Sequence, residues 1–573
     1  MKDNPAREEI VNAWRFHLVV ILLCGAAIGA VYGQALHFPY VWTDHAEIEG
    51  GGLVPKTLDQ VGRFWTHVKG QAVTIAREEA TSSRPGGAGY FRPIKAASYG
   101  LDWQTGGGQP WSFHLSNVLL HFLFCLVLYW VALEVIGREY RLWAAAIALW
   151  HALAPQHVET VCWVSARSDS LWGLFGLLAF WGCVRVPRSR HPVTLRVLSI
   201  FLAMLAVFSK ESGAVAAIFP FLYFWLVPQE GHSGLRKALR AGVWTALGAG
   251  LAVAYRLLVV GGVGAGPAPA AAGFWTRLHV FGENVLQSFF PVGLRLADTV
   301  EIAAGPTLLG LSGLALFSAW LWLGFRMRRD GRLLFSALAF LLAILPVSQL
   351  WPLLQPRGER YLYVPAAFAE LAGALLLLEL LRRVQASALR RVLAAATLAI
   401  LVVLGLFSGV RTSAWGNEAR LFSEAVEEEP NCAECWNNLA FALAVEGKHA
   451  GAERACRAAL SVDRRRYWTY LDGFSVRWIL SQLLLLRGEG EEAARWLSQI
   501  EARVDGGPAL FLSLGRAHLL SGEPELSLLA AGRGLARHPG HPGLLALEQA
   551  AAERMIAAGH AWLESRPQCR AAR

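Results

Sequence analysis

A chain of 573 residues with 54% hydrophobic and only 17% charged residues is too long for one ordinary domain and too apolar for a soluble protein of that size. Its net charge of +10 does not mark a nucleic-acid partner, because the arginines lie in short loops between apolar runs and not on one soluble face. The 23 Trp and 28 Phe suit aromatic belts at two membrane interfaces, so the expected class is an all-α polytopic membrane protein.

The amino terminus, MKDNPAREEIVNAWRFHLVVILLCGAAIGAVYG, is charged and then apolar, without a small-residue cleavage site. It reads as a retained first span and not as a cleaved signal. Crossing a bilayer takes about 20 apolar residues. Runs at 16–36, 115–136, 141–156, 169–184, 196–209, 212–227, 240–260, 305–325, 332–348, 361–381 and 391–410 are candidates, about eleven spans in all. The positive-inside rule orients them. With a cytoplasmic amino terminus, every cytoplasmic loop is basic: Arg138 and Arg141, Arg185 to Arg196, Arg236 to Arg240, Arg326 to Arg332, and Arg382 to Arg391. The run FWTRLHVFGENVLQSFFPVGLRL (274–296) would reverse this order if counted, so it is read as a re-entrant or interfacial helix. The preceding GGVGAGPAPAAAG (261–273) reads as a low-complexity loop.

The predicted domains are a transmembrane part, 1–412, and an extracytoplasmic part, 413–573. The second carries Trp436, Leu439, Ala440, Leu443, Gly447, Ala452 and Ala459 at the spacing of a tetratricopeptide repeat. Further units begin near Phe474 and Pro508, and HPGLLALEQAAAERMIAAGHAWLE would cap them. The pattern implies an α-solenoid with a concave surface for a peptide or protein. Cys432 and Cys435 read as packed thiols or a structural disulfide, since no βαβ pattern surrounds them. The cysteines in apolar runs read as small core residues.

Unusual polar residues gather on the non-basic side. HFPYVWTDHAEIEGG brings Asp44, Glu47 and Glu49 to the end of the first span. YFRPIKAASYGLDW brings Arg92, Lys95 and Asp102, and WSFHLSNVLLH brings His114, Asn117 and His121. LWHALAPQHVETVCWVSARSDSL carries His151, His157, Glu159, Arg167 and Asp169. FSKESG adds Lys210 and Glu211; LQPRGERYLYVP adds Arg357, Glu359, Arg360 and Tyr361. Ionisable groups against a bilayer are costly, so they pair, face a cavity or serve function. A carboxylate there can act as general base toward a hydroxyl. Basic side chains can hold the phosphate of a lipid-linked donor and its developing charge. Together the set suits glycosyl transfer from a lipid-phosphate sugar outside the cytoplasm.

These segments in this order, ending in the repeats, resemble the transmembrane and tetratricopeptide-repeat O-mannosyltransferases and their bacterial relatives. The resemblance runs through nearly the whole chain. It implies the GT-C membrane fold and transfer of mannose or another hexose from a polyprenyl-phosphate donor to protein Ser or Thr. It also implies that the first extracytoplasmic loop carries the catalytic acid. The chain departs from the family pattern at Thr43–Asp44, where relatives carry two adjacent acidic residues, and in HALAPQHVE, where relatives tend to have His-Pro directly.

Asp44 is therefore the expected catalytic residue, with Glu47 as its substitute. The bland alternative makes Asp44 a capping or hydrated loop aspartate, and Glu47 and Glu49 solvated. Arg92, Lys210, Glu211, Arg167, Asp169, Arg360, Tyr361, His157, Glu159 and His114 are the expected donor and substrate contacts. Against this, Lys210–Glu211 reads as a local ion pair, and Arg92 and Arg360 as snorkelling to lipid headgroups. His151, His157 and Glu159 offer a set of metal ligands, but histidines at a span mouth more commonly bond loop carbonyls, so no metal and no cofactor beyond the lipid-linked sugar is expected. The expected partners are a polyprenyl-phosphate sugar, a protein acceptor on the repeats, and membrane lipid. The GC-rich residue usage points to a bacterial inner membrane with a cytoplasmic amino terminus and periplasmic repeats, or to the endoplasmic reticulum in a eukaryote. Two alternatives stand beside this reading: a degenerate membrane-anchored repeat scaffold, and a transferase acting on lipid or polysaccharide.

Overall fold

The computed structural model describes residues 5–50, 53–66, 91–228, 234–260, 273–296, 299–350, 353, 355–383, 387–463, 465–468, 473–502 and 506–565. Apart from Gly273, the loop predicted at 261–273 lies outside them. The fold is all-α, and the β structure among the described residues is one antiparallel pair, β1 (Val300–Glu301) with β2 (Tyr467–Trp468). The chain divides into two compact units. The first holds the described residues up to Leu421 together with 465–468; the second holds the rest from Phe422 onward.

The first unit begins with α1 (Pro5–Tyr32), then α2 (Leu58–Thr66), α3 (Pro93–Gly106) and α4 (Pro110–Ile136). It continues with α5 (Arg141–Leu153), α6 (Val158–Cys162), α7 (Arg167–Arg185), α8 (Pro192–Ser209), α9 (Phe219–Leu226) and α10 (Leu235–Val260). After α11 (Phe274–Phe289) come α12 (Leu308–Arg326), α13 (Arg332–Ile344), α14 (Tyr363–Arg383) and α15 (Ser387–Ala414). Among the described residues, eight stretches are long and apolar enough to cross a membrane: Trp14–His37, Pro110–Ile136, Val164–Arg188, Pro192–Ser209, Leu235–Val260, Leu308–Arg326, Glu359–Arg383 and Arg391–Ala414. The protein is a multi-pass membrane protein. Leu198, Phe201, Leu251, Val403 and Leu406 stand exposed on these helices, where hydrocarbon and not water is the compatible surrounding.

Three of the eleven predicted spans are shorter than expected, and proline sits in each. α5 ends at Leu153 before Pro155; the run 212–227 is a 3-10 stretch, Glu211–Ile218, followed by α9 with Pro220 in its first turn. The run 332–348 is α13 plus a 3-10 turn containing Pro346. Proline lacks the N–H and crowds the preceding turn, so continuous helix stops there. At 1.5 Å per residue, thirteen helical residues reach only about 20 Å of a roughly 30 Å hydrocarbon core. The segment predicted as re-entrant or interfacial forms α11, which buries Thr276, Glu283, Asn284, Gln287 and Ser288. It meets α12 at a glycine crossing: a Cβ on Gly313 would lie 2.2 Å from Gly282.

The core of this unit gathers the inward faces of α4, α7 and α14 with those of α5, α9 and α13. Phe180, Phe219, Tyr223, Phe335 and Phe368 interlock there at ring centroid distances of 4.9–6.1 Å. Rigid, buried helices thus carry the loops that hold the polar residues.

In the second unit, α16 (Glu418–Glu428) runs across the division and is followed by α17 (Ala433–Val445), α18 (His449–Ser461), α19 (Phe474–Leu486), α20 (Gly490–Glu501), α21 (Pro508–Leu520), α22 (Pro524–Arg537) and α23 (Pro542–Ser565). Each helix packs on its neighbour in sequence from α17 to α23. The turns between paired helices carry Gly447, Gly488 and Gly522 at φ of 75–79°, a backbone region glycine enters without a Cβ clash. Cys432 and Cys435 form a disulfide, resolving the alternatives left by the sequence.

Candidate functional site

One short segment, residues 159–169, organises many of the predicted polar residues. Pro155 stops α5 and α6 is only five residues long, so the chain runs through turns with its side chains aimed at several neighbours. Glu159 accepts the backbone N–H of Arg360 at 2.8 Å and also pairs with its guanidinium. Trp163 stacks on Trp42 with centroids 4.3 Å apart and planes 14° apart. Ser165 holds Asp44. Arg167 pairs with Asp102, Ser168 with Arg92 and Asp169 with Lys210. Successive residues at the start of α7 thus reach α3, the residue that precedes it and the loop after α8.

Asp44 opens the turn His45–Glu49 and is fully buried. Its Oδ1 accepts the Ser165 N–H at 2.8 Å and the Ser165 hydroxyl at 2.6 Å; its Oδ2 lies 3.5 Å from the Val41 N–H. Burial pushes its pKa up to about 7, the charge of Glu47 adds to the rise, and the hydrogen bonds from Ser165 oppose it. A carboxyl group with a pKa near neutrality is suited to taking and returning a proton. Glu47, expected to be solvated, is buried instead: it accepts from Lys95 Nζ at 2.7 Å and from the Tyr99 hydroxyl at 3.3 Å. The neutralising cation lies 48 residues away, where sequence proximity could not reveal it.

The loop carrying Asp44 is held from the other side by Glu418. Its carboxylate accepts the Trp42 N–H at 2.7 Å and lies 3.2 Å from His45 Nε2, while Glu49 takes His45 Nδ1 at 2.5 Å. Burial works against a charged His45, but the two carboxylates prevail and raise its pKa to about 9. Trp42 itself sits at φ 58°, an uncommon conformation for a bulky residue. Such strain persists where surrounding contacts over-determine the backbone, and here the Trp163 stack and the Glu418 bond do so.

Arg92, Lys210 and Arg360 come together from three loops. Burial lowers the pKa of Lys210, and the charges of Arg92 and Arg360 act on it in the same direction, against Asp169. The expected Lys210–Glu211 pair does not form. Lys210 bonds Asp169 at 2.6 and 2.8 Å, while Glu211 accepts from Arg92 at 3.0 Å and pairs with Arg256 at 3.0 Å. Adjacent residues at a helix boundary point apart, so sequence neighbours are poor partners. Nor do Arg92 and Arg360 reach outward toward headgroups: both turn inward, to Glu211 and Glu159. Arg360 also bonds Gln355, and its guanidinium lies 5.1 Å from the Trp163 ring and 4.6 Å from Tyr361. Tyr361 lies 5.2 Å under Lys210 Nζ. Gln349, at φ 60°, braces this loop by donating to the carbonyls of Gln355 and Pro356.

The remaining predicted contacts sit elsewhere or do other work. Arg167 is fully buried and donates to Asn117, Ser98 and the Phe113 carbonyl besides Asp102, so it braces the site from beneath. His114 approaches the Pro39 carbonyl at 3.4 Å and edges Phe38, beneath the Asp44 loop. His157 faces His151 and Glu370. Ser165, Trp163, Arg256, Glu370 and Glu418 escaped the sequence reading. Glu370 and Arg256 left a signal there as charged residues inside the predicted runs 361–381 and 240–260, and Glu418 as an acidic residue just past the last apolar run. A cleft of about 520 Å³ opens at the end of α11, with apolar walls from Leu286, Phe290, Val292 and Leu309. Glu283 and Arg295 line it too, and Glu283 connects it to Arg357 at 3.4 Å, three residues before Arg360.

No protein-family model matches the chain. Protein O-mannosyl-transferase TMTC1 of Homo sapiens is 30% identical over 203 residues, covering 34% of this chain and 22% of that protein. Protein O-mannosyl-transferase Tmtc2 of Drosophila melanogaster is 30% identical over 280 residues, covering 45% of this chain and 28% of that one. The alignments thus span 22% and 28% of these relatives' length. Among solved structures, ArnT from Cupriavidus metallidurans bound to undecaprenyl phosphate aligns with 85% of this chain and 80% of its own, at a TM-score of 0.37 and 16% identity. The chain is similar to the O-mannosyltransferases that its ordered segments resemble.

Proposed function

We propose that this chain is an integral-membrane glycosyltransferase. It moves a hexose, mannose or a close relative, from a polyprenyl-phosphate donor to a Ser or Thr hydroxyl of a protein on the extracytoplasmic side. The observation that carries the reading is the shared scaffold of residues 159–169, which holds the buried Asp44 and contacts each of the three cations Arg92, Lys210 and Arg360.

Ionised Asp44 takes the proton of the acceptor hydroxyl as its oxygen attacks the anomeric carbon. The bond from that carbon to the phosphate oxygen breaks, the lipid phosphate departs with the electron pair, and the anomeric configuration inverts. Charge on the departing phosphate meets the cations, where a preorganised site stabilises it without reorganisation. Arg92 is the most accessible of them, with a side chain 20% exposed against 9% for Lys210 and 5% for Arg360. Each of the three already has a carboxylate partner, so a bound phosphate enters a nearly neutral cluster by sharing these donors. The apolar cleft at the end of α11 offers the isoprenoid tail a path toward Arg357 and Arg360. Tyr361 and the Trp42–Trp163 stack supply aromatic faces for a sugar.

Residues 1–412 form the transferase part in this reading and 413–573 recruit the acceptor. The basic loops favour a cytoplasmic amino terminus, and, with the three proline-interrupted segments counted as crossings, repeats in the periplasm or in the lumen of the endoplasmic reticulum. The lipid-linked sugar is the only small molecule the reaction consumes. Purified protein supplied with a polyprenyl-phosphate hexose and a crude extract of acceptor proteins should label protein, and Asp44→Asn should abolish it. Transfer at the original rate by Asp44→Asn removes Asp44 from the chemistry. Labelling of glycolipid or polysaccharide in place of protein reassigns the acceptor.

A further inference from the structure

Proline shapes a second polar cluster, which the proposed chemistry does not use. Pro155 holds Ala154 extended, at φ −73° and ψ 126°, and the chain doubles back through the turn Pro155–His157. The His157 ring comes to lie against the His151 ring, centroids 3.9 Å apart. From α14, the Glu370 carboxylate oxygens stand 3.1 and 3.2 Å from His151 Nδ1, and one stands 3.7 Å from His157 Nε2. One atom from each of the three residues lies within 4.8 Å of the others.

The sequence reading expects these histidines to bond loop carbonyls. Of the rings gathered here only His121 does so, with Nδ1 2.9 Å from the Tyr363 hydroxyl and Nε2 3.4 Å from the Ala152 carbonyl. His151 Nε2 and both nitrogens of His157 are buried without a hydrogen-bond partner. Buried polar groups left so are costly, and a carboxylate in an apolar core requires a cationic counterpart. A proton shared by His151 and Glu370 serves that pair but leaves both His157 nitrogens idle. A divalent cation among the three answers the carboxylate and engages His157 Nε2 together.

Two imidazoles and a carboxylate are a zinc-type donor set. Ligand bonds of about 2.0–2.2 Å in a tetrahedral arrangement put ligand atoms roughly 3.4 Å apart. The observed 3.1 to 3.7 Å around Glu370 brackets that spacing. We propose that His151, His157 and Glu370 bind a zinc-class divalent transition-metal ion that ties the turn after α5 to α14. Glu159, where the scaffold of the candidate site begins, lies two residues beyond His157, so the ion steadies that scaffold without touching substrate.

The test uses the full-length protein in detergent. Metal analysis after chelator-free purification should find a single zinc-class ion per chain. Stripped protein should take up Co²⁺ with the visible bands of a low-symmetry site, and Zn²⁺ but not Mg²⁺ should raise its thermal midpoint. Glu370→Gln and His157→Gln should weaken that uptake by roughly ten-fold or more. Absence of Co²⁺ bands in stripped wild-type protein, with a midpoint indifferent to Zn²⁺, overturns the proposal and leaves the shared proton. Metal retained by both variants overturns it equally. Should the variants fail to fold, the wild-type Co²⁺ spectrum still decides, and none of these readouts depends on sugar transfer.

Discussion

Replacing Asp44 by Asn should disable transfer and at the same time stabilise the protein, with a pH dependence that identifies the cause. Burial raises the Asp44 pKa from 3.8 to about 7. At about 1.36 kcal/mol per pKa unit, ionising it costs the folded state about 4 kcal/mol. An acid whose folded pKa is raised holds its proton more tightly when folded. Wild-type stability therefore declines as pH rises from about 4 to about 7 and is level beyond. Asparagine has no such titration. Its carbonyl oxygen can accept both Ser165 donors in place of Oδ1, but its NH2 would face the Val41 N–H, at a cost of about 1–3 kcal/mol. The balance is a gain of about 1–3 kcal/mol above pH 7 that turns into a loss of about 1–3 kcal/mol near pH 4, where the wild-type carboxyl is protonated and only the cost of the amide remains. Losing a general base should lower transfer about 10²- to 10⁴-fold. Thermal unfolding in detergent across this pH range, beside a transfer assay with a lipid-phosphate sugar, measures both. A variant-minus-wild-type stability difference that does not move with pH refutes the electrostatic argument, and near-normal transfer refutes the catalytic one.

His45 should act with the opposite sign. Its pKa is raised from 6.5 to about 9, so its pairing stabilises fully below about pH 6.5 and is lost as pH rises through about 9; Glu418→Gln should flatten that decline in unfolding scans. Arg167→Leu leaves Asp102 buried without its cation and should cost about 3–5 kcal/mol, seen as loss of monodisperse protein. Arg92→Ala, by contrast, leaves Glu211 paired to Arg256, so the protein should fold normally but require more lipid donor for half-maximal transfer. Gly313→Leu should force α12 off α11 and destabilise by about 1–3 kcal/mol or more, read as a lowered thermal midpoint; an unchanged midpoint contradicts the glycine crossing.

Run length and composition were enough to establish the membrane class, because hydrocarbon demands long apolar helices whatever they pack against. Eight of the eleven predicted runs match helices of spanning length, and the other three are interrupted at prolines that a count of apolar residues ignores. The approach of Arg92, Lys210 and Arg360 to one another, on a segment that also holds Asp44, was legible only as a coincidence of polar residues on one side. What tertiary structure alone decided was who pairs with whom. Charge acts through space, so Glu47 found Lys95, Lys210 found Asp169 in preference to its neighbour Glu211, and Arg360 found Glu159 from 201 residues away. The histidines separate the two levels most clearly: sequence set His151 and His157 six positions apart, but only the turn at Pro155 and the approach of α14 turned them and Glu370 toward one point.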